Sequence, residues 1–260
     1  MPRTADWRSP DAAEALKNLD RPGLAWEFLR RNPEYREHYR RTLERIGSGV
    51  TTKEAAQAEI SRRWGVSCVL DPDAPANLHP TIWRPDLLPP TVVLVPAPDC
   101  YPDARELPGG DFGSKPASAI DAGCDQLVVE DPSGDHHLWL RGVEKGQKLA
   151  AVLALDDDLR VRVLSLIRFY QHLTKGCSGP LPKACQITRR HRQRLIRMIR
   201  ALDGRLAHAS YREIATALFG AEAVKRYAWK TSSVRGQTIR LVKDGVGMMR
   251  GGYRKLLRGD

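Results

Sequence analysis

The sequence predicts an α+β protein, mainly α, with a helical N-terminal module, a β-rich middle and a multi-helical C-terminal region. Apolar residues recur at helical spacing over residues 1–66 and 156–260, and short β-type runs between Pro- and Gly-rich turns occupy residues 67–155. Hydrophobic residues make up 42% of the 260 residues, enough for a packed core. We therefore predict three domains with these boundaries.

The N-terminal region predicts several short helices. A first helix starts at Pro10, and Leu24 and Phe28 share a face of the next because they are four residues apart. Asn32-Pro33 ends that helix and starts another. Thr51-Thr52-Lys53-Glu54 offers a capping box for a further helix.

The middle region predicts a small antiparallel sheet or a pair of hairpins. Its β-type runs lie at residues 91–95, 126–130, 137–141 and 149–155, the last of which could also lead into a helix. Residues 96–121 are rich in Pro, Gly and Asp and are typical of a long loop.

The C-terminal region begins with two predicted amphipathic helices. The first follows three aspartates, which suit a helix N-terminus, and its predicted apolar stripe is Leu159, Val163, Leu166, Ile167 and Tyr170. The second is strongly basic, starts after Thr188, and has an apolar face of Leu195, Met198, Ile199 and Leu202.

Residues 210–220 indicate the start of a helix-turn-helix motif. Ser210 and Glu213 form a capping box, Ile214 and Leu218 face inward, and Gly220 ends the helix. A short helix with a glycine stop is typical of this motif. We expect Trp229 to be a core anchor and residues 234–249 to form the long helix that follows.

The charge distribution favours a polyanionic partner for the C-terminal end. Residues 181–260 carry 19 basic and five acidic residues, a net charge of +14, whereas residues 1–180 carry 23 basic and 26 acidic residues, a net charge of −3. Nucleic acid is the natural partner for such a concentration of positive charge. A basic surface that only confers solubility is the alternative.

The long C-terminal helix predicts one apolar and one cationic side. At 100° per residue, Thr238, Leu241 and Val242 face the domain, and Arg240, Lys243 and Arg250 face outward with two glycines. Arginine reads guanine and glutamine reads adenine in the major groove. We predict phosphate contacts from Arg189, Arg190, Lys230 and Arg250, base contacts from Arg235, Gln237, Arg240 and Lys243, and further DNA contacts from Ser232 and Ser233.

Both ends of the chain resemble a known family. Residues 210–220, Trp229, residues 233–235 and residues 251–257 resemble the C-terminal domain of a proteobacterial family that includes regulators of integrative and conjugative elements. Residues 19–35 resemble the transcriptional-regulator-like module that often precedes this domain. The combination is similar to FseA-type excision activators. The resemblance implies activation of an excisionase promoter and direct binding of a small antiactivator protein.

Other functions are less well supported by the sequence. P-loop, HExxH and GxSxG motifs are absent, so we predict no enzyme, catalytic residue or cofactor. His136 and His137 are poor co-ligands because adjacent strand residues point to opposite faces, so we predict no metal. The five cysteines are scattered and odd in number, and we expect them to be reduced.

Two hypotheses remain for the partner. One is a promoter-binding activator that also meets RNA polymerase. The other is an antiactivator-like regulator that binds protein and whose helix-turn-helix does not read DNA. With no apolar run long enough to span a bilayer and no signal-peptide core, we expect a cytoplasmic protein without membrane contact.

Overall fold

The computed structural model describes residues 6–78, 81–107, 114–116 and 126–259, with residues 114–116 described by their backbone alone. It confirms the α+β, mainly α, fold class. The helices are α1 (Asp11–Glu14), α2 (Arg21–Leu29), α3 (Pro33–Gly47), α4 (Lys53–Trp64), α5 (Leu159–Lys175), α6 (Arg189–Leu206), α7 (Tyr211–Phe219), α8 (Ala221–Lys225), α9 (Ser233–Gly247) and α10 (Tyr253–Arg258). The strands are β1 (Val92–Pro96), β2 (Ser114–Pro116), β3 (Gln126–Val129), β4 (His136–Leu140) and β5 (Leu149–Val152).

The N-terminal helices begin where their capping residues predict. The side chains of Asp20, Asn32 and Thr52 each accept a hydrogen bond from a backbone N–H in the first turn of α2, α3 and α4. These bonds satisfy donors that have no partner inside the helix. Gly65 ends α4 at φ 85°, a conformation that glycine adopts without strain.

The sheet is mixed, so the prediction of a purely antiparallel arrangement is wrong. Its strand order is β2-β3-β4-β1-β5, and β1 and β4 run parallel, with Val92 beside Leu138. A parallel pair needs a long connection, which the chain between β1 and β4 supplies. Part of that connection, interpreted from sequence as a loop, forms β2 and pairs with β3.

Helix α5 packs on the sheet through only part of the predicted apolar stripe. Leu166 of that stripe packs against the cluster in which Phe169 is buried with Val92 and Leu138, whereas Ile167 and Tyr170 of the stripe are 48% and 55% exposed. Arg168 is buried because its guanidinium donates to the carbonyls of Gly134 and Gly179. A buried charge is tolerated where such acceptors are supplied. The hydrogen bonds from Arg168 to these two loop carbonyls therefore decide which side of α5 is buried, and the spacing of the apolar residues alone does not.

The N- and C-terminal helices share one hydrophobic core. Leu24, Phe28 and Ile60 belong to the same buried cluster as Ile199 and Leu202. A buried ion pair joins them as well: the Arg31 guanidinium contacts Asp203 of α6, with Nε 2.5 Å from Oδ1 and Nη2 2.9 Å from Oδ2. The orientation of α6 is therefore fixed by the N-terminal helices.

The C-terminal helices pack largely as predicted. Leu195, Met198, Ile199 and Leu202 of α6 are all buried, and Ser210 and Glu213 form the predicted capping box of α7. Trp229 is only partly buried in a 3-10 turn, so its prediction as a core anchor is wrong. The cores of α6, α7 and α9 close around aliphatic residues instead.

The cysteine prediction is wrong for one residue. Cys68 is buried and disulfide-bonded, whereas Cys100, Cys177 and Cys185 carry free thiols. Cys124 lies outside the described residues. Sequence spacing alone does not reveal whether two cysteines are close enough to bond.

Candidate nucleic-acid interface

Helix α9 is held against the C-terminal core by one buried side. Thr238, Leu241, Val242 and Gly245 are buried, and Thr238 donates its hydroxyl to the carbonyl of Val234. The helix crosses α6 so closely that a Cβ on Gly245 would lie 2.8 Å from the carbonyl oxygen of Met198. Gly245 is therefore a packing glycine, and it fixes which side of α9 remains outside.

The predicted DNA-binding residues lie on the surface with one exception. Arg189, Arg190, Lys230, Ser233, Arg235, Gln237, Arg240, Lys243 and Arg250 are all exposed. Ser232 is buried, and its hydroxyl accepts a hydrogen bond from the backbone N–H of Val234 at 3.1 Å. Ser232 thus starts α9 and stabilises the helix that carries the exposed residues.

Two glycines on the outward side of α9 have no packing role in the fold. Among the described residues, a Cβ added at Gly236 or Gly247 would meet nothing within 4 Å beyond its chain neighbours and the backbone of its own helix, in contrast to Gly245. Each glycine lowers helix stability by about 1 kcal/mol relative to alanine. Open glycines in a helix permit close approach of an external backbone.

A basic groove of about 630 Å³ lies between α6 and α9. Arg190 from α6 and Gln237 and Arg240 from α9 line it together, so three of the predicted contacts share one surface. The groove also includes Arg194 and Arg197, which the sequence-based prediction omitted. Their spacing from Arg190, four and seven residues, is the signal that places all three on one side of α6.

The cations of this surface differ from those of the N-terminal helices. Within the described part of the chain, Arg189, Arg190, Lys230, Arg235, Arg240, Lys243 and Arg250 make no ion pair. By contrast, Arg40 and Arg41 of α3 both contact Glu37. The excess charge of the C-terminal end is therefore available to an external anion, which is the electrostatic property that a DNA-binding surface needs.

An acidic side chain of α9 pairs with one of the arginines that line the groove. Asp244 of α9 contacts Arg194 of α6, with 2.5 Å between the carboxylate oxygen and Nη2. Because both side chains are exposed, the pair contributes little stability. It does hold the Arg194 guanidinium toward α9.

The connection between α7 and α9 is longer than a simple helix-turn-helix turn. Gly220, with φ 88° and ψ 153°, ends α7 and starts the five-residue helix α8, and a 3-10 turn at Trp229–Thr231 then leads to α9. Helices α6, α7 and α9 pack on one another. The motif therefore consists of the three packed helices α6, α7 and α9, and the short helix α8 is inserted between α7 and α9.

A separate polar cluster joins the sheet to α5. Asp131, His136 and His172 bring potential metal ligand atoms within 4.8 Å of one another. The Asp131 carboxylate already accepts hydrogen bonds from the Ser178 hydroxyl, at 2.5 Å, and from His172 Nδ1, at 2.9 Å. It also accepts the Ser133 N–H at 2.8 Å. These donors satisfy the hydrogen-bonding capacity of the carboxylate oxygens. We therefore interpret the cluster as a hydrogen-bonded contact between the sheet and α5 rather than as a metal site.

The contacts within the cluster shift the pKa values of His136 and Asp131. Burial and the nearby Arg168 guanidinium lower the pKa of His136 to about 4. Burial opposes ionisation of Asp131, but hydrogen bonds from Ser178, Ser133 and His172 outweigh it and hold the pKa of the carboxyl well below its usual range. His137 points the other way, toward Asp20 at 3.4 Å, as the strand alternation predicts. The sequence missed Asp131 and His172 because they are 41 residues apart.

Across the described ranges, no helix combines the length and apolar character that crossing a bilayer requires.

Three family models match consecutive parts of the chain. Residues 6–68 match the proteobacterial transcriptional regulator-like domain, and residues 90–151 match a domain of unknown function. Residues 152–258 match the RovC DNA-binding domain, described as a T6SS transcription-factor DNA-binding domain. No curated protein matches the chain. The basic groove and α9 fall within the third match, so the chain, which combines a transcriptional regulator-like domain with a transcription-factor DNA-binding domain, is a DNA-binding regulator.

Proposed function

We propose that this protein is a promoter-binding transcriptional activator that places the outward side of α9 in the major groove. The observation that carries the proposal is the set of exposed cations on α6, α9 and the turns beside them that pair with no acid in the ranges that the structure describes. An α-helix fits the major groove, where base edges carry a distinct pattern of donors and acceptors.

The two groups of side chains have different roles in this proposal. Arg189, Arg190, Lys230 and Arg250 contact phosphates and supply most of the affinity, because each neutralised phosphate releases counterions. Arg235, Gln237, Arg240 and Lys243 contact bases and supply sequence preference. Arg194 and Arg197 extend the phosphate contacts along the groove. Ser233 at the start of α9 contacts DNA, and Ser232 acts through the helix cap.

The regulated promoter is proposed from the resemblance of both chain ends to FseA-type excision activators. On that basis the protein activates an excisionase promoter and so controls excision and transfer of an integrative and conjugative element. The matched DNA-binding family is described in terms of type VI secretion, which makes a secretion promoter the competing target. A small antiactivator and RNA polymerase are the protein partners, and the cytoplasm is the location.

The test begins with unbiased selection of DNA. The purified full-length chain is mixed with fragmented DNA from its source genome at several salt concentrations, and the bound fragments are sequenced. We expect enrichment of a few promoter fragments, near an integrase or excisionase gene, and a linear decrease of log Kobs with log salt. Transcription with purified polymerase from the enriched fragment should then increase when the protein is added.

The competing hypothesis makes a distinct prediction. A protein-binding regulator that does not read DNA would show a steep salt dependence with no preference for any fragment. That outcome would refute the promoter-binding proposal. Enrichment without stimulated transcription would refute the activator role alone.

A further inference from the structure

The chain between α7 and α9 carries a basic and aromatic surface of its own. This insert, residues 221–231, comprises α8 and the 3-10 turn, and it holds three basic residues against the single acid Glu222. Lys225 lies 3.9 Å from Glu222, whereas Arg226 and Lys230 pair with no acid in the described part of the chain. Two cations of the insert are therefore available to an anion outside the fold.

Arg226 and Tyr227 form an exposed pair in the middle of the insert. The Cζ atom of Arg226 lies 5.7 Å from the centre of the Tyr227 ring, and the tyrosine is 62% exposed. Val224, which is 3% exposed, holds the adjoining part of the insert in the fold. The guanidinium and the ring, attracted to each other, therefore face solvent from a segment that is fixed at a neighbouring residue.

The position of the insert distinguishes this pair, because a single exposed tyrosine is common on protein surfaces. Phe219, which ends α7, lines the basic groove, and the Cζ atom of Arg197 lies 5.9 Å from the centre of its ring. At its other end the insert leads through the Ser232 cap into α9. The insert is therefore continuous, at both ends, with the surface proposed to contact DNA.

The distance from Tyr227 to α9 is short. Tyr227 precedes Ser233, the first residue of α9, by six residues, and a fully extended chain of that length spans at most about 22 Å. The 3-10 turn shortens this distance, because it rises only about 2 Å per residue. Helix-turn-helix proteins place the first turn of the reading helix against base edges. With that turn in a major groove about 12 Å wide, the chain that enters α9 lies beside the sugar–phosphate backbone bordering the groove.

The chemistry of the pair suits contact with that backbone. A guanidinium donates two parallel hydrogen bonds to a phosphate group. A tyrosine hydroxyl is also among the side-chain groups that bond to phosphate oxygens, and its ring offers an apolar face to the sugar. One charged donor and one neutral donor therefore lie side by side where a phosphate and its deoxyribose are expected.

We propose that the insert is a second DNA-contacting element, in which Arg226 and Tyr227 hold the sugar–phosphate backbone that borders the groove read by α9. This assignment rests on the proposed function for the position of α9. Backbone contacts of this kind carry no sequence information, but they fix the orientation of the reading helix. The insert thus extends the binding site beyond the base pairs that α9 covers.

The first test measures Kd and its salt dependence for the full-length chain on the selected promoter duplex and on an unrelated duplex. Arg226→Gln should raise Kd about tenfold on both and reduce the slope of log Kobs against log salt by about one. Tyr227→Ala should raise Kd about threefold on both and keep the slope, because it removes no charge. The ratio of the two Kd values should stay at its wild-type value in both variants.

Tyr101→Ala is the matched control, because Tyr101 is 61% exposed but lies between Asp99 and Asp103. It should leave Kd and slope unchanged, and all three variants should unfold at the wild-type temperature because the replaced side chains are exposed. Wild-type Kd and slope in both Arg226→Gln and Tyr227→Ala would overturn the proposal. A changed Kd ratio would overturn the assignment to the backbone.

The second test locates the contact by hydroxyl-radical cleavage of the promoter duplex. The wild-type protein should protect deoxyriboses at the flank of the site, and the double variant Arg226→Gln/Tyr227→Ala should lose that protection while the centre stays protected. An unchanged footprint in the double variant would contradict the proposal. If the wild-type protein shows no preference between the two duplexes, reading by α9 fails, and the backbone contact is still measured on the unrelated duplex.

Discussion

Replacing Gly236 and Gly247 of α9 with alanine should change stability and DNA affinity in opposite directions. A Cβ at either position enters open space, because no other part of the described chain lies within 4 Å of it apart from its chain neighbours and the backbone of its own helix. Alanine is favoured over glycine in a helix by about 1 kcal/mol, so the double variant should gain about 2 kcal/mol of unfolding free energy. For a chain of this size that corresponds to a rise in Tm of about 4–8 °C.

The same two methyl groups should weaken DNA binding. If the outward side of α9 approaches the duplex at these glycines, each Cβ keeps a phosphate or base edge farther from the helix backbone. Loss of one hydrogen bond to a charged group corresponds to about a tenfold or larger increase in Kd. The assays are thermal unfolding by calorimetry and titration of a labelled promoter duplex by fluorescence anisotropy.

Gly245→Ala is the matched control within the same helix. Its Cβ would lie 2.8 Å from the Met198 carbonyl oxygen, so this variant should lose about 1–3 kcal/mol of stability. Stabilised Gly236→Ala and Gly247→Ala variants with unchanged affinity would show that the open glycines do not face DNA. Loss of stability in those variants would show that the outward side of α9 is not open.

Two further predictions concern buried polar contacts, one between the N-terminal helices and α6 and one between the sheet and α5. Arg31→Met leaves Asp203 buried without its guanidinium and should cost about 3–5 kcal/mol in chemical denaturation, whereas Arg40→Ala on the surface should leave the stability nearly unchanged; equal losses would contradict the buried-pair interpretation. The pKa of His136 is lowered to about 4, so the unfolded chain binds the proton more readily and stability should fall as pH decreases from 6.5 toward 4, by about 2 kcal/mol at pH 5. His136→Gln should remove that part of the pH dependence. An unchanged slope of unfolding free energy against pH in this variant would refute the assignment to His136.

The elements with local signals were predictable from the sequence. Asn32 caps α3 and Thr188 caps α6, because a side-chain acceptor next to the first helical turn acts within a few residues. The four apolar residues of α6 are buried because their spacing follows the helical period. The outward residues of α9 follow from the same period.

The remaining features depend on contacts between distant parts of the chain. Arg168 is buried only because Gly134 and Gly179 present their carbonyls to it, and no periodicity within α5 contains that information. The parallel pairing of β1 with β4 likewise depends on how the intervening chain returns. Arg194 and Arg197 join the groove because α6 crosses α9 at Gly245, a close contact that becomes apparent only in three dimensions.

The most direct test of DNA reading by α9 is the specificity ratio, the Kd for an unrelated duplex divided by the Kd for the selected promoter duplex. It is measured at one salt concentration for Arg240→Ala/Lys243→Ala and for Arg40→Ala/Arg41→Ala, which removes the same charge from α3. We predict that the α9 variant loses at least about 2 kcal/mol of discrimination, roughly 30-fold in the ratio, and that the α3 variant keeps it. An α9 variant with the wild-type ratio would contradict the assignment of this helix to the major groove.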